Sequence, residues 1–100
     1  MKYTSTRSSS ISCSFEDAIC SGYAPDGGLF VPESLPPVST ATLQEWAKLP
    51  YPVLSQQVLR LFIAQEEISD ADLTKICTSA FRGFADPDHA VPVVQVGSLY

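Results

Sequence analysis

The clearest hydrophobic pattern in the chain lies in its last third. Apolar residues recur there at intervals of three and four, which places them on one face of a helix: Leu73, Ile76, Cys77, Ala80, Phe81 and Phe84. Ser69 precedes this face, and Asp72 follows Ser69 in the spacing of a capping box. The pattern predicts a helix that begins after Ser69 and buries its apolar face.

Three other segments show shorter helical patterns. Ser14 with Asp17 indicates the start of one helix, and Thr42 with Glu45 indicates the start of another. A third helix is predicted over 52–63, where the opening proline is tolerated because its missing N–H would have no partner at a first helical position.

Three short strands complete the prediction. Residues 2–6 are rich in Tyr and Thr, residues 29–31 are apolar, and residues 91–96 contain four valines. Residues 7–12 are rich in serine and are predicted to form a loop. The expected fold is α+β and mainly helical: a small domain of about four helices with an N-terminal strand, a strand after a Pro-Asp-Gly-Gly turn, and a C-terminal strand.

Composition narrows the class of protein. One hundred residues make one domain, and a hydrophobic content of 45% is enough for a folded core. The net charge of −5, with six scattered basic residues, argues against a nucleic-acid footprint. No apolar run approaches the ~20 residues that span a bilayer. Neither nucleic acid nor membrane is expected as a partner.

The number and spacing of the cysteines indicate the type of cellular compartment. Cys13, Cys20 and Cys77 are odd in number and contain no Cys-x-x-Cys pair, so neither a zinc site nor a dithiol redox site is indicated. Such thiols fit a reducing compartment, and the N-terminus has no hydrophobic signal-peptide stretch. We therefore expect a cytoplasmic protein.

The least generic stretch is residues 21–32, Ser-Gly-Tyr-Ala-Pro-Asp-Gly-Gly-Leu-Phe-Val-Pro. Pro25 suits the second position of a turn, and Asp26 can accept a backbone hydrogen bond within it. Gly27 and Gly28 are expected to supply the positive φ that the reversal needs. The stretch predicts a tight turn that leads into an apolar strand.

This stretch belongs to a longer resemblance. Together with Tyr-x-Ser-Thr-Arg over 3–7 and Ser-Phe-Glu-x-Ala over 14–18, it resembles the N-terminal domain of the threonine synthase family, which includes threonine-synthase-like phospho-lyases. The resemblance covers essentially all of residues 1–100. One departure is Ser8, because the family usually continues Ser-Thr-Arg with glycine.

The resemblance implies part of a lyase that depends on pyridoxal 5′-phosphate (PLP) and converts O-phosphohomoserine to threonine and phosphate in threonine biosynthesis. The family's PLP-bearing lysine lies in a Gly-Pro-Thr-x-Ala-Phe-Lys-Asp stretch, whereas Lys2, Lys48 and Lys75 lack that motif and are expected to be solvated. The chain alone is therefore expected to bind no PLP and to be inactive, with no catalytic or cofactor-binding residue. The apolar end at Leu99 and Tyr100 favours truncation before the PLP-binding domain, the expected partner within the same polypeptide.

The remaining polar residues offer one candidate set. Ser5, Thr6 and Arg7 would lie near the cofactor cleft of a full-length relative, where Arg7 could meet an anionic group. The alternative is an ordinary strand followed by a surface arginine. His89 is expected to be an exposed loop residue and not a metal ligand, and Glu66 and Glu67 are interpreted as a solvated pair between helices.

Two alternatives remain open. Within the family, threonine synthase and phospho-lyase are not separated, because the groups that decide between water addition at Cβ and release of a keto acid lie outside these residues. Outside it, the chain could be a non-catalytic, stand-alone module. Such a module would bind a protein partner, or associate with itself, through an apolar surface that the missing domain would cover.

Overall fold

The computed structural model describes residues 1–98. Leu99 and Tyr100, on which the expectation about the apolar end rests, lie outside the described residues. Over the described residues the elements are β1 (Tyr3–Ser5), β2 (Ser12–Cys13), α1 (Phe15–Ser21), β3 (Phe30–Pro32), α2 (Thr40–Trp46), α3 (Tyr51–Arg60) and α4 (Asp70–Phe81). Four helices and a small sheet in this part of the chain confirm a small, mainly helical α+β domain.

The sheet is antiparallel and has β1 at its centre, in the order β2-β1-β3. Thr4 of β1 pairs with Ser12 on one side and with Val31 on the other. β3 confirms the strand predicted after the turn, whereas β2 begins inside the segment predicted to be a loop. That part of the prediction was wrong because two residues carry no readable alternation, and their pairing is set by β1.

Serine side chains cap α1, α2 and α4. Ser14 and Ser69 cap α1 and α4 as predicted, each accepting a hydrogen bond from the backbone N–H three residues later, at 3.0 and 3.2 Å. α2 begins earlier than predicted, because Ser39 accepts the hydrogen bond from the Thr42 N–H at 3.1 Å. Thr42 therefore lies within the first turn instead of capping it.

The core lies where α3, α4 and their connecting loop meet. It consists of Ile63, Leu73 and Cys77, with Phe15 and Ile68 packed against them. Leu73 is the most buried of these side chains, at 1% exposure. The sheet is tied to this region because Tyr3 donates a hydrogen bond from Oη to the carbonyl oxygen of Phe62 at 3.0 Å.

The predicted apolar face of α4 is only partly covered. Leu73 and Cys77 are buried, but Ile76 is 52% exposed and Phe84 is 49% exposed. An apolar groove of about 400 Å³ runs between α3 and α4, with a lining that includes Tyr51, Leu54, Val58, Ile76, Ala80 and Phe81. The described residues thus leave apolar surface open along these two helices.

The C-terminal strand predicted over 91–96 was wrong. No strand is assigned there, and its valines are exposed, from 63% at Val91 to 79% at Val93. A strand needs a neighbour for its N–H and C=O groups, and no strand described within residues 1–98 lies beside this segment. The β-branched valines favour an extended strand, but propensity alone does not form a strand when no partner strand lies beside the segment.

Candidate functional site

The end of β1 and the turn of residues 24–28 are joined by a hydrogen-bond cluster. Ser5 is 5% exposed and donates from Oγ to Asp26 Oδ1 at 2.7 Å. The same carboxylate oxygen accepts a hydrogen bond from the Gly28 N–H at 2.9 Å. Ser5 Oγ in turn accepts one from the Arg7 N–H at 3.1 Å. We call Ser5, Asp26 and Gly28 the serine–aspartate clip.

The two glycines of the turn serve different purposes. The Gly27 N–H donates to the Ala24 carbonyl at 2.8 Å, and Gly27 has a φ of +77°, which glycine adopts without strain. Gly28 has no positive φ. A Cβ at Gly28 would overlap the Ser5 hydroxyl and would lie 3.0 Å from Asp26 Oδ1. Glycine is therefore required at Gly27 because the backbone has a positive φ there, and at Gly28 because a side chain would not fit.

The candidate set predicted from the sequence gathers around this turn. Thr6 donates its N–H to the Leu29 carbonyl at 2.9 Å, and its Oγ1 accepts from the Leu29 N–H at 3.0 Å. Arg7 is exposed, and its Nη1 donates to the Asp26 carbonyl oxygen at 3.1 Å. Ser5 and Thr6 thus use their hydroxyls in hydrogen bonds to other residues of the domain, whereas Arg7 presents its guanidinium at the surface. Their position beside a cofactor cleft stays a prediction.

The clip stabilises the ionised form of Asp26. The hydrogen bond from Ser5 is the main reason that the pKa of Asp26 lies below its ordinary value of 3.8, and the Gly28 N–H acts in the same direction. Because the pKa is lower in the folded than in the unfolded state, this contribution to stability is fully present above about pH 5. It is lost as the pH falls through the folded-state pKa.

Replacing Ser5 with alanine is expected to raise the pKa of Asp26 towards its ordinary value, because the largest stabilising hydrogen bond is removed. A titration of the Asp26 carboxyl carbon by NMR measures this. Ser8→Ala is the matched control, since the Ser8 hydroxyl contacts Ser10 at 2.7 Å. Between neutral pH and acid, the unfolding free energy should also fall less steeply in Ser5→Ala. An Asp26 pKa that is the same in both variants would contradict this account.

The three lysines of the chain lie at its surface. Lys2 and Lys48 are exposed, and Lys75 is exposed with its Nζ 3.5 Å from Asp72 Oδ1. A lysine that holds PLP as a Schiff base must lie inside a cavity that also holds the cofactor. The groove between α3 and α4 is lined by none of the three. The described residues therefore do not fit the cofactor by themselves, and the absence of PLP binding stays a prediction.

The loop after α4 holds the histidine. His89 Nδ1 lies 3.0 Å from Asp86 Oδ2, and both side chains are exposed, as expected for a loop. Among residues 1–98 no group of three His, Cys, Asp or Glu side chains is placed to hold a metal ion. None of the helices in the described part of the chain has the length and apolar character to cross a membrane.

Glu67 has a role that sequence reasoning missed. Its Oε1 accepts a hydrogen bond from the Phe15 N–H at 2.9 Å, and it lies 3.4 Å from the Glu16 nitrogen. Both N–H groups belong to the first turn of α1, where donors lack partners within the helix. The interpretation of Glu67 as a solvated residue was wrong, because no local pattern connects positions 52 residues apart.

A family of known proteins matches most of this chain. Residues 2–81 match the family described as Threonine synthase N terminus. The chain belongs to this family. The resemblance to threonine synthases is therefore confirmed, and the serine–aspartate clip lies within the matched residues of this threonine synthase N-terminal domain.

The relatives are longer proteins. The threonine synthase of Saccharomyces cerevisiae is 48% identical over 95 residues, which are 93% of this chain and 18% of that protein. Threonine synthase-like 2 of Xenopus laevis is 45% identical over 98 residues, which are 98% of this chain and 21% of that protein. The chain thus spans about a fifth of the length of these curated relatives.

Solved threonine synthases share the fold. The yeast enzyme superposes with a TM-score of 0.82 at 46% identity, over 87% of this chain and 18% of that structure. PLP-bound threonine synthase from Brucella melitensis superposes with a TM-score of 0.86 at 32% identity, over 95% of this chain and 20% of that structure. The threonine synthase N-terminal fold therefore extends over nearly the whole chain.

Proposed function

We propose that these residues are the N-terminal domain of a PLP-dependent threonine synthase that converts O-phosphohomoserine to threonine and phosphate. The observation that carries the proposal is the superposition on the PLP-bound enzyme, which extends over 95% of this chain at 32% identity. Residues outside 1–100 would supply the PLP lysine, since Lys2, Lys48 and Lys75 are exposed. The reaction is assigned to the cytoplasm, for which the three free cysteines are suited.

The role proposed for this domain is support of the cofactor domain. The serine–aspartate clip holds the turn of residues 24–28 against β1, so the surface around Arg7 has a defined shape. The open groove between α3 and α4 is an apolar surface of the kind that a second domain covers. The PLP-binding domain of the same polypeptide is the proposed partner, and self-association is proposed for the chain when that domain is absent.

A phospho-lyase is the second candidate. Threonine synthase-like 2 of Xenopus laevis, at 45% identity, is nearly as similar as the yeast threonine synthase at 48%. Both reactions would release phosphate from O-phosphohomoserine. They differ in the organic product, which is threonine in one case and a keto acid in the other.

The test uses the polypeptide encoded by the transcript, read beyond Tyr100, and loaded with PLP. We expect phosphate release from O-phosphohomoserine with an equal amount of threonine. An equal amount of keto acid would instead establish the phospho-lyase. The 100-residue chain is assayed beside it and is expected to release no phosphate. A reading frame that stops after Tyr100, or a longer product that leaves O-phosphohomoserine intact, would contradict the proposal and favour a stand-alone binding module.

A further inference from the structure

We infer that Arg7 is a preorganised anion-binding residue that receives the phosphate group of the substrate, and that Asp26 and Gly27 are its positioning residues. The inference rests on the proposed function, because it names a residue that would contact the O-phosphohomoserine of that reaction. It divides the set of Ser5, Thr6 and Arg7 into one residue that meets a ligand and two that shape the domain.

Arg7 is held at two points although it is exposed. Its N–H donates to Ser5 Oγ at 3.1 Å, which fixes the backbone beside the clip. Its Nη1 donates to the Asp26 carbonyl oxygen at 3.1 Å, which fixes the far end of the side chain. An exposed arginine otherwise keeps a large rotamer entropy, and a binding residue gains affinity when that entropy is lost before the ligand arrives.

Gly27 leaves open the space that the guanidinium of Arg7 occupies. A Cβ at this position would lie 3.3 Å from Arg7 Nη1, which is closer than such contacts normally are. The guanidinium therefore lies directly over the bare backbone of the turn. A larger residue would push it away and lengthen its hydrogen bond to the Asp26 carbonyl. The turn thus sets where the charge of Arg7 is presented.

The free side of the guanidinium fits an oxyanion. Among residues 1–98, the one side-chain hydrogen bond of Arg7 uses Nη1 and a neutral carbonyl, and no carboxylate oxygen lies within ion-pair distance of it. Its remaining N–H groups form the fork that matches phosphate oxygens. Arg60, by contrast, is paired with Asp70 at 2.9 Å.

Ser5 and Thr6 are assigned no ligand. Ser5 Oγ is already engaged with Asp26 Oδ1 and the Arg7 N–H, and Ser5 is buried. Thr6 Oγ1 accepts from the Leu29 N–H. Both hydroxyls serve the geometry that places Arg7, so their replacement should act through folding and through the position of Arg7.

The first test measures side-chain order in the 100-residue chain by the heteronuclear NOE of the arginine Nε–H groups. Arg60, held by two carbonyls, and Arg82, exposed at the end of α4, supply internal references. We expect Arg7 to be nearly as ordered as Arg60. Gly27→Ala should bring Arg7 to the level of Arg82, whereas Gly22→Ala should not. Arg7 that is as mobile as Arg82 in the unchanged chain overturns the inference.

Gly22→Ala is a close control for the strain. Gly22 has a φ of +72° and Gly27 one of +77°, so alanine is similarly unfavourable at both positions. A Cβ at Gly22 meets no atom within 4 Å. Far-ultraviolet circular dichroism of both variants confirms folding before the comparison is made.

The second test uses the full-length, PLP-loaded enzyme and inorganic phosphate as the probe. Arg7→Ala should raise both KM for O-phosphohomoserine and the inhibition constant of phosphate by about tenfold or more, with kcat changed little, as expected when one hydrogen bond from a charged group is lost. Arg82→Ala should leave both constants within about twofold, which is typical of a surface substitution. Gly27→Ala should raise them, and Gly22→Ala should not.

The outcomes separate this inference from the proposed function. If the full-length enzyme without substitutions does not consume O-phosphohomoserine, the proposed function is refuted. An active enzyme in which Arg7→Ala keeps the original KM and phosphate inhibition overturns the inference alone. A raised KM with unchanged phosphate inhibition also overturns it, because the anion at Arg7 is then not the phosphate.

Discussion

Replacing Gly28 with alanine is expected to destabilise the domain by about 3 kcal/mol, the upper part of the usual range for overpacking a filled site. The added methyl group would overlap the Ser5 hydroxyl and would lie 3.1 Å from Thr6 Oγ1. Ser5 is 5% exposed and cannot swing into solvent without giving up its bond to Asp26 Oδ1. The substitution therefore breaks the serine–aspartate clip and pushes β1 away from the turn.

Urea unfolding, followed by circular dichroism, measures this loss. Gly83→Ala is the matched control, because a Cβ at Gly83 meets no atom within 4 Å and its φ is not positive. The control should change stability by less than about 1 kcal/mol, and alanine there tends to stabilise through the unfolded chain. Equal midpoints for Gly28→Ala and Gly83→Ala would show that the clip does not pack as described.

The turn shows which features a local sequence pattern predicts and which it does not. The string of residues 21–32 predicted a reversal that leads into a strand, and β3 begins at Phe30 as that prediction requires. The two glycines were expected to supply whatever positive φ the reversal needs. Gly27 supplies it, whereas Gly28 is required because Ser5 lies against it. The reason for Gly28 is a contact between residues 23 positions apart, which local turn preferences do not contain.

Elements with a local signal were predicted well, and those that depend on a distant partner were not. α4 begins after Ser69 because the cap and the apolar spacing agree, and both lie within the helix itself. β2 exists because β1 offers it a partner, and residues 91–96 form no strand because no strand described within residues 1–98 lies beside them. Strand formation is a property of pairs, so a single run of valines does not determine it.

The candidate site shows the same division. The sequence placed Ser5, Thr6 and Arg7 next to one another and the turn elsewhere, and neither pattern indicated that they meet. Asp26 joins them through its carboxylate and its carbonyl, which are engaged with Ser5 and Arg7 respectively. An aspartate in a turn is ordinarily explained by a bond to its own backbone, and Asp26 makes that bond too, with Gly28. The bond to Gly28 is sufficient to explain an aspartate in this turn, so the sequence offered no reason to expect the bonds to Ser5 and Arg7.

Leu73→Ala is expected to cost about 3–4 kcal/mol, because Leu73 is the fully buried large side chain of the described core. It contacts Ile63 and Cys77, and the cavity would open between α4 and the loop after α3. The Ile63 N–H donates to the Leu59 carbonyl at 3.0 Å, so we expect this neighbour to relax only in part into the space. The midpoint of thermal unfolding should fall by roughly 15–20 °C, given the entropy of unfolding of a chain of this length.

The choice of Leu73 over other apolar residues of α4 follows from burial. Ile76 belongs to the same predicted stripe, but it is 52% exposed on the open groove. Leu43→Ala is the control, since Leu43 is also helical and is 52% exposed. It should cost less than about 1 kcal/mol, in line with its smaller loss of buried surface. If Leu43→Ala and Leu73→Ala lowered the unfolding midpoint equally, the core would not lie between α3, α4 and their loop.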